Sequence, residues 1–219
     1  MDLRQWETNA WIEEGSNITS VLGLKWNKND DVLFCQLPKK MSGLEQMKIT
    51  KRSVLSFISQ IYDPIGFTCP AVIQPKIQVQ DSWALKISWD AEWESKERNR
   101  FWKWSSEIED LARIQIPRHV FGDSKKASLQ FHCFTDASQS AYAAVVFVRV
   151  AEQDNIFTQL LIAKSRLAPI SKKNKKVTIP RLELLGCFIG SRLTDNIRRD
   201  LNMEDVPTTY WSDSTTALA

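Results

Sequence analysis

The order of β-rich and helical segments after residue 125 is the feature that most restricts the folds open to this chain. Three β-rich runs with short connections come first, a helical pattern follows, and a short strand leads into a last helix. The three runs predict an antiparallel meander, and the helix predicts a crossover that lays the fourth strand beside the first and parallel to it. The fold class is therefore mixed α/β (α+β). The predicted strands are residues 128–135, 141–150, 157–165 and 207–212, and the helix is 179–201.

The predicted helix has clear boundary and packing signals. Thr178 is its expected N-cap, and Pro180 lies in its first turn, where proline is tolerated. Gly186 and Gly190 lie on one side of it, beside an apolar stripe. Because glycine costs about 1 kcal/mol inside a helix, two of them on one side indicate that the helix backbone approaches the sheet closely. The stripe is formed by Leu182, Leu185, Ile189 and Leu193.

Three acidic residues fall at the same end of this predicted sheet. Asp136 comes just after the first strand, Asp213 just after the fourth, and Glu183 in about the first turn of the helix. The first and fourth strands ascend together while the helix descends, so all three acids are expected at the top. Each acid alone also has a structural explanation: a turn cap for Asp136, a favourable helix N-terminus for Glu183, and a helix cap for Asp213.

Taken together, the three acids predict a metal site. Clustered carboxylates repel one another unless a cation lies between them. Ligation by carboxylates alone suits Mg²⁺ or Mn²⁺. Two such ions a few ångströms apart activate water and stabilise the leaving oxygen of a phosphodiester. The sequence thus predicts that Asp136, Glu183 and Asp213 are catalytic, metal-binding residues.

The residues before 125 have a different pattern. A strand at 21–26, a turn and a strand at 31–37 predict a β-hairpin, with Asp30 and Asp31 in a solvated turn. Three helical patterns follow, and we place a domain boundary near residue 124. The first helix is capped by Thr50 and ended by Asp63-Pro64-Ile65-Gly66. The second contains Pro70 in its first turn, and Pro75 is expected to kink or delay it. The third is capped by Asp90 and covers about 91–112.

The third helical pattern allows two interpretations. Aromatic residues alternate with basic ones, as on a surface that stacks nucleic-acid bases. The spacing of the apolar residues instead favours an amphipathic helix that buries its aromatic side chains, and we adopt this interpretation. The spaced residues are Trp93, Glu97, Phe101, Trp104, Ile108 and Leu111, and the interleaved basic ones are Lys96, Arg98, Arg100 and Lys103.

Charge is divided unevenly along the chain. Residues 1–124 carry a net charge of −1 and residues 125–219 a net charge of +4. Residues 164–181 contain seven Lys or Arg and no acid, and this segment ends beside Glu183. It is either a solvated loop or a contact with a phosphate backbone. The candidate nucleic-acid-binding residues are Lys164, Arg166, Lys172, Lys173, Lys175, Lys176 and Arg181.

The remaining sequence features argue against membranes, secretion and zinc. The chain has no secretory signal and no apolar run long enough to span a membrane. Its four scattered cysteines form no CxxC pair, which indicates reduced intracellular thiols. We therefore expect no membrane partner and an intracellular location.

Five motifs in the second part of the chain resemble the ribonuclease H domain of Pao/BEL-type LTR retrotransposon polyproteins. Upstream, VLGLKW resembles the end of the reverse-transcriptase palm, KITKRSVLSFISQIYDPIGF the thumb, and FWKWSSEIEDLARIQIPR the connection. The resemblance covers nearly the whole chain. The five motifs are FTDAS (134–138), AYAAVVFVRV (141–150), AKSRLAPI (163–170), TIPRLELLG (178–186) and YWSDSTTALA (210–219).

The resemblance implies a ribonuclease H-like mixed sheet that hydrolyses the RNA strand of RNA–DNA hybrids with two Mg²⁺. It implies metal-binding roles for Asp136, Glu183 and Asp213, and the rest of the polyprotein as a partner. It also implies a location in a cytoplasmic virus-like particle or in the nucleus. It also implies three regions: palm end with a β-hairpin (1–48), mostly helical thumb and connection (49–124), and ribonuclease H-like domain (125–219).

Two departures from the family pattern bear on activity. The Tyr-x-Asp-Asp polymerase motif is absent from the sequence, so polymerase activity is not expected. The family's fourth acidic ligand would follow Asp213, beyond Ala219, so the nuclease domain is expected to be C-terminally truncated. We therefore expect weak or no nuclease activity from this fragment.

Two other functions compete with the nuclease. Pao-type segments are sometimes grouped with aspartic peptidases, but neither Asp136-Ala137-Ser138 nor Asp213-Ser214-Thr215 is followed by the glycine that such a site needs. The other alternative is a nucleic-acid-binding remnant that uses the basic segment without catalysis.

Overall fold

A computed structural model describes residues 8, 17–38, 48–121, 127–152, 155–170 and 177–218. These residues fall into two compact units. The first unit is Met1–Pro64 with Ser82–His119, and the second is Ile65–Asp81 with Val120–Ala219, each over its described residues. The predicted helical region 49–124 therefore contributes to both units.

The first unit contains a four-stranded antiparallel sheet instead of the predicted two-stranded hairpin. The strand expected over residues 21–26 is interrupted by a turn at Leu22 and Gly23, whose φ angles are +49° and +84°. Glycine reaches positive φ without steric cost, so the chain reverses here. The strands, in sheet order, are β1 (Ile18–Val21), β2 (Leu24–Asn27), β3 (Val32–Cys35) and β4 (Ile116–Pro117).

Asp31, in the turn between β2 and β3, does not belong to a merely solvated turn, so that prediction is wrong for this residue. Its carboxylate accepts hydrogen bonds from Arg118 Nε at 2.6 Å and Nη2 at 3.1 Å, and from Trp26 Nε1 at 2.9 Å. Burial raises the pKa of Asp31, but the hydrogen bonds from Arg118 and Trp26 outweigh it and hold that pKa below its usual value. Asp31 thus links Trp26 of β2 to Arg118, which directly follows the edge strand β4.

The first helix, α1 (Lys51–Ile58), begins as the sequence predicts. The Ser53 N–H donates to Thr50 Oγ1 at 3.1 Å and the Thr50 N–H donates to Ser53 Oγ at 2.8 Å, which is a reciprocal capping box. The helix ends at Ile58, earlier than the Asp63 signal implied.

Two further helices differ from the prediction in their details. Helix α2 (Cys69–Ala84) has Pro70 in its first turn as expected, and it contains a buried Pro75. Helix α3 (Ser95–Glu107) starts later than residue 91 and is followed by a 3-10 helix, Ile108–Arg113. Asp90 does not cap α3, because its carboxylate instead pairs with Arg52 Nε at 2.7 Å and Nη2 at 3.0 Å.

The apolar residues of α3 and the 3-10 helix form a core, which confirms the amphipathic interpretation. Phe101 is 1% exposed, and Ile108 is also buried. The Phe101 ring lies 6.0 Å from that of Phe57 and 5.6 Å from that of Trp104, centroid to centroid. These aromatic residues therefore pack against α1.

The second unit has the sheet that the sequence predicts. Its strand order is β7-β6-β5-β8, with β5, β6 and β7 antiparallel and β8 parallel to β5. The fourth strand thus lies beside the first, as the crossover required. The strands are β5 (Ser128–Ala137), β6 (Ala141–Glu152), β7 (Asn155–Leu167) and β8 (Thr208–Trp211).

Helix α4 (Ile179–Asp200) connects β7 to β8 and is followed by the short α5 (Thr215–Leu218). Pro180 lies in the first turn of α4, and Thr178 occupies the N-cap position without a capping hydrogen bond from its side chain. Leu182 and Leu193 are buried, and Leu193 packs with Cys133, Ala144 and Val146 of the sheet. All four cysteines are free. Within the described ranges, no helix combines the length and apolar character needed to cross a bilayer.

Candidate active site

Asp136 lies inside β5, although the sequence placed it just after the strand. Its carboxylate is exposed, and Oδ1 accepts the N–H of Ala137 at 2.7 Å. The hairpin turn that follows is closed by Ser138, whose Oγ accepts the N–H of Ala141 at 3.2 Å. Ser138 therefore fills the turn-capping role that was an alternative explanation for Asp136.

Asp213 lies at the corresponding level of the neighbouring strand. The last residue pair of the β5–β8 ladder is Phe134 with Trp211, so Asp136 and Asp213 each come two residues after it. Asp213 is exposed and does not cap α5. That role belongs to Ser214, whose Oγ accepts the N–H of Ala217 at 3.2 Å.

Glu183 reaches the same end of the sheet from α4. The first turn of that helix contains no acid, so Glu183 lies slightly further along than expected. Its half-buried carboxylate accepts a hydrogen bond from Ser214 Oγ, which lies 2.5 Å from Oε2. Glu183 therefore contacts the residue that follows Asp213, which a helix-end preference alone does not explain.

The two glycines of α4 account for this placement. A Cβ at Gly186 would lie 3.4 Å from the carbonyl oxygen of Asp136, and one at Gly190 would lie 2.7 Å from Thr135 Cγ2 and 2.8 Å from Cys133 Sγ. The helix backbone is thus in direct contact with β5, as the sequence predicted. Because Glu183 precedes Gly186 by one turn, all three acids occupy one end of the sheet.

The three carboxylate groups do not form a compact metal cluster in this conformation. Among the described residues, no group of three or more His, Cys, Asp or Glu side chains is spaced to hold a metal ion. Thr135 faces α4, and side chains alternate along a strand, so Asp136 leaves β5 on the opposite face. An all-carboxylate donor set fits Mg²⁺ chemically, but in this conformation the three described acids are not spaced to share one ion.

Among the described residues, no basic side chain neutralises the three acids. Over the described part of the chain, neither Asp136, Glu183 nor Asp213 forms an ion pair with Lys or Arg. Their described hydrogen-bond donors are neutral, a backbone N–H for Asp136 and a hydroxyl for Glu183. Negative charge therefore remains available to a cation at this end of the sheet.

Three of the predicted basic residues lie near this end. Lys164 and Arg166 lie on β7, opposite Ala144 and Tyr142 of the neighbouring strand β6, and both are exposed. Arg181 is exposed at the start of α4, two residues before Glu183. The other four candidates, Lys172, Lys173, Lys175 and Lys176, lie outside the described residues.

Sequence reasoning missed Ser214 and Thr135. Ser214 precedes a short helix, and this is an N-cap signal that the sequence analysis gave to Asp213 instead. Thr135 Oγ1 lies 3.4 Å from Cys187 Sγ, and it also donates to the carbonyl oxygen of Trp211 at 3.4 Å. Nothing in the local sequence marks Thr135, because both partners are distant along the chain.

The fold and the acids define the class of this second unit. A meander of three strands, a crossover helix packed on it and a parallel fourth strand, with acids at one end, form a ribonuclease H-like arrangement in a mixed α/β chain. Residues 50–214 match the family described as the Pao retrotransposon-like RNaseH-like domain, and the chain belongs to that family.

No curated protein matches the chain. A solved structure titled as the foamy viral protease-reverse transcriptase in complex with dsDNA is similar at 10% identity with a TM-score of 0.42. The similarity covers 93% of this chain and 38% of the foamy viral chain, so this chain spans well under half of that protein.

Proposed function

We propose that this chain carries the ribonuclease H-type domain of a retrotransposon reverse transcriptase, which hydrolyses the RNA strand of RNA–DNA hybrids as part of a longer polyprotein. The observation that carries the proposal is the convergence of Asp136, Glu183 and Asp213 at one end of a ribonuclease H-like sheet, without an ion-pairing base among the described residues. Family membership supports the same assignment.

The three acids would hold Mg²⁺ or Mn²⁺. When bound, such ions supply an activated water and stabilise the leaving oxygen of the phosphodiester. The contribution of this chain is to fix where the carboxylates sit. The pairing of β5 with β8 brings Asp136 and Asp213 to the same end of the sheet, and the glycine contacts of α4 bring Glu183 to the same level.

The exposed basic residues support contact with a nucleic-acid backbone. Lys164 and Arg166 lie at the same end of the sheet as the acids, and Arg181 lies beside Glu183 in the chain. Cations beside a phosphodiester-cleaving site attract the phosphate backbone and release counterions on binding. Replacing these three residues by Gln should weaken hybrid binding and reduce its salt dependence.

A hybrid-cleavage assay with Mn²⁺ tests the proposal. We expect slow RNA cleavage that falls about 100-fold or more in Asp136→Asn, because lost metal ligation removes several kcal/mol of transition-state stabilisation. Asp195→Asn is the matched control, since Asp195 is exposed on α4 and, among the described residues, is paired with Arg199 alone, at 3.1 Å. Cleavage that survives in Asp136→Asn would refute the assignment of the catalytic acids.

One observation favours a second function, nucleic-acid binding without catalysis: the described carboxylates do not form a three-ligand group. Hybrid binding that persists without any metal-dependent cleavage by the chain, in Mg²⁺ or in Mn²⁺, would support this alternative over the nuclease.

A further inference from the structure

Ser214 contacts one of the three acids, Glu183, through its hydroxyl group, and it directly follows another, Asp213, in the chain. Its side chain is almost fully buried, at 3% exposure, although its neighbour Asp213 is exposed. The Oγ accepts the N–H of Ala217 at 3.2 Å and lies 2.5 Å from Glu183 Oε2. The N–H of Ser214 itself donates to Ser212 Oγ at 3.2 Å. The serine is therefore held on its backbone side as well.

The hydrogen-bonding capacity of a hydroxyl fixes the direction of the bond to Glu183. A serine hydroxyl has one proton and two acceptor lone pairs, and an ionised carboxylate has only acceptors. One lone pair of Ser214 takes the Ala217 N–H, so the proton is directed to Glu183. Such a bond to a charged acceptor is stronger than one between neutral groups.

This bond determines what the Glu183 carboxylate does. A free glutamate side chain explores several rotamers, and fixing it costs up to about 2 kcal/mol of conformational entropy. The bond to Oε2 restrains Glu183 against the residue next to Asp213 and leaves the second carboxylate oxygen available for a cation. Because the Ser214 hydroxyl is a neutral donor, it restrains the Glu183 carboxylate without cancelling its negative charge.

We propose that Ser214 is a positioning residue of the active site: it holds Glu183 beside Asp213 so that both carboxylates meet one divalent ion. The proposal rests on the nuclease function proposed above. It differs from the opposite possibility, in which the serine competes with the metal for Glu183. In that case removal of the hydroxyl would tighten metal binding.

The decisive measurement is Mn²⁺ affinity, read from the water-proton relaxation of the whole chain. Ser214→Gly removes the hydroxyl while costing the α5 cap only a few tenths of a kcal/mol. We expect about tenfold weaker Mn²⁺ binding, typical of residues that orient metal ligands, and recovery of most of the affinity in Ser214→Thr. Ser191→Ala is the control, because the Ser191 hydroxyl donates only to the Phe188 carbonyl on α4.

A double-mutant cycle separates positioning from general damage. If Ser214 acts through Glu183, then Ser214→Gly should have almost no further effect on Mn²⁺ affinity in a Glu183→Gln background. Unchanged or tighter Mn²⁺ binding by Ser214→Gly, or additive effects in the cycle, would overturn the proposal.

A metal-free measurement keeps this proposal distinguishable from the proposed function. Three-bond NMR couplings should show one Glu183 rotamer in the unsubstituted chain and averaging in Ser214→Gly. If the unsubstituted chain binds no Mn²⁺ but shows this contrast, then the metal site fails while the restraint by Ser214 stands. Averaged Glu183 couplings in the unsubstituted chain would refute the restraint itself.

Discussion

Asp31 of the first unit is held differently from Asp136 and Glu183 of the second unit. Asp31 accepts two hydrogen bonds from Arg118 and one from Trp26, so its charge is compensated within the fold. Glu183 and Asp136 accept from a hydroxyl and a backbone N–H, which restrain the side chain and leave the charge in place. The difference separates a carboxylate that stabilises the fold from carboxylates that remain free to take a cation.

The same contrast extends to other charges of the first unit. Asp90 is paired with Arg52 through two hydrogen bonds. Lys51 is fully buried, its Nζ donates to the Ile87 carbonyl at 2.6 Å, and it lies 3.9 Å from the centre of the Trp83 ring. Burial lowers the pKa of Lys51. Asp90 and Lys51 are thus engaged by partners within the chain, as Asp31 is.

Gly190→Ala should produce the largest effect, because it breaks the contact that brings Glu183 to the other acids. The added Cβ would overlap Thr135 Cγ2 and Cys133 Sγ at 2.7 and 2.8 Å. Overpacking costs about 1–3 kcal/mol, and helix propensity returns about 1 kcal/mol. We expect a net loss of up to roughly 2 kcal/mol in the opening free energy of α4 and β5, measured by amide hydrogen exchange.

Gly186→Ala is the matched control for that measurement. Its added Cβ meets the Asp136 and Ala143 carbonyl oxygens only at 3.4 Å, so we expect little change or a slight gain in protection. If both variants lost the same opening free energy, then the number of glycines in α4, and not the close approach at Gly190, would control the contact between α4 and β5.

Asp31→Asn and Asp136→Asn test the comparison directly. Asparagine keeps the positive φ of +51° accessible at position 31 but removes the charge that binds Arg118. Arg118 is 45% exposed, so we expect a loss of only about 1 kcal/mol in unfolding free energy from Asp31→Asn, measured by urea denaturation. Asp136→Asn should be close to neutral for stability, and a similar loss there would break the comparison.

Acid should remove the stability difference at Asp31. The pKa of Asp31 is held below its usual value, so its contribution is present above the unfolded-state pKa of about 4 and is lost as pH falls through the lower folded-state value. The difference in unfolding free energy between the original chain and Asp31→Asn should therefore be largest at neutral pH and shrink below pH about 4. A difference that persists undiminished at pH about 2 would contradict the ion-pair explanation.

The smallest effect concerns thiol reactivity, which reports on the two cores separately. Burial raises the pKa of Cys35 in the first unit and of Cys133 in the second. With iodoacetamide, the half-buried Cys69 and Cys187 should react first, as measured by peptide mass spectrometry. Gly190→Ala should speed alkylation of Cys133 and leave Cys35 unchanged; faster alkylation of Cys35 would mean that the substitution disturbs both units.

Much of the second unit was predictable because its signals are local. The alternation of residues in β5, β6 and β7 and the helical periodicity of α4 indicated the elements, and their order left β8 one favourable place beside β5. Gly186 and Gly190 even indicated how the helix packs. Short turn and cap assignments were less secure, as Leu22-Gly23 and Asp90 show.

The partners of individual side chains were not predictable. Asp31 and Arg118 are 87 residues apart, and no periodicity connects them. Ser214 and Glu183 are 31 residues apart, and they meet because α4 packs on β5 while β8, which precedes Ser214, pairs with β5. Local pattern determines which segments form strands and helices, whereas such bonds depend on distances set after those elements have packed.

The sequence by itself determined that three acids arrive at one end of a four-stranded mixed sheet. The spacing of apolar residues identifies the strands and the helix, and their order along the chain places the acids. Only the tertiary structure decided which carboxylates are neutralised and which are merely restrained. The physical reason is that charge compensation requires donors within about 3 Å, a distance that long-range packing alone establishes.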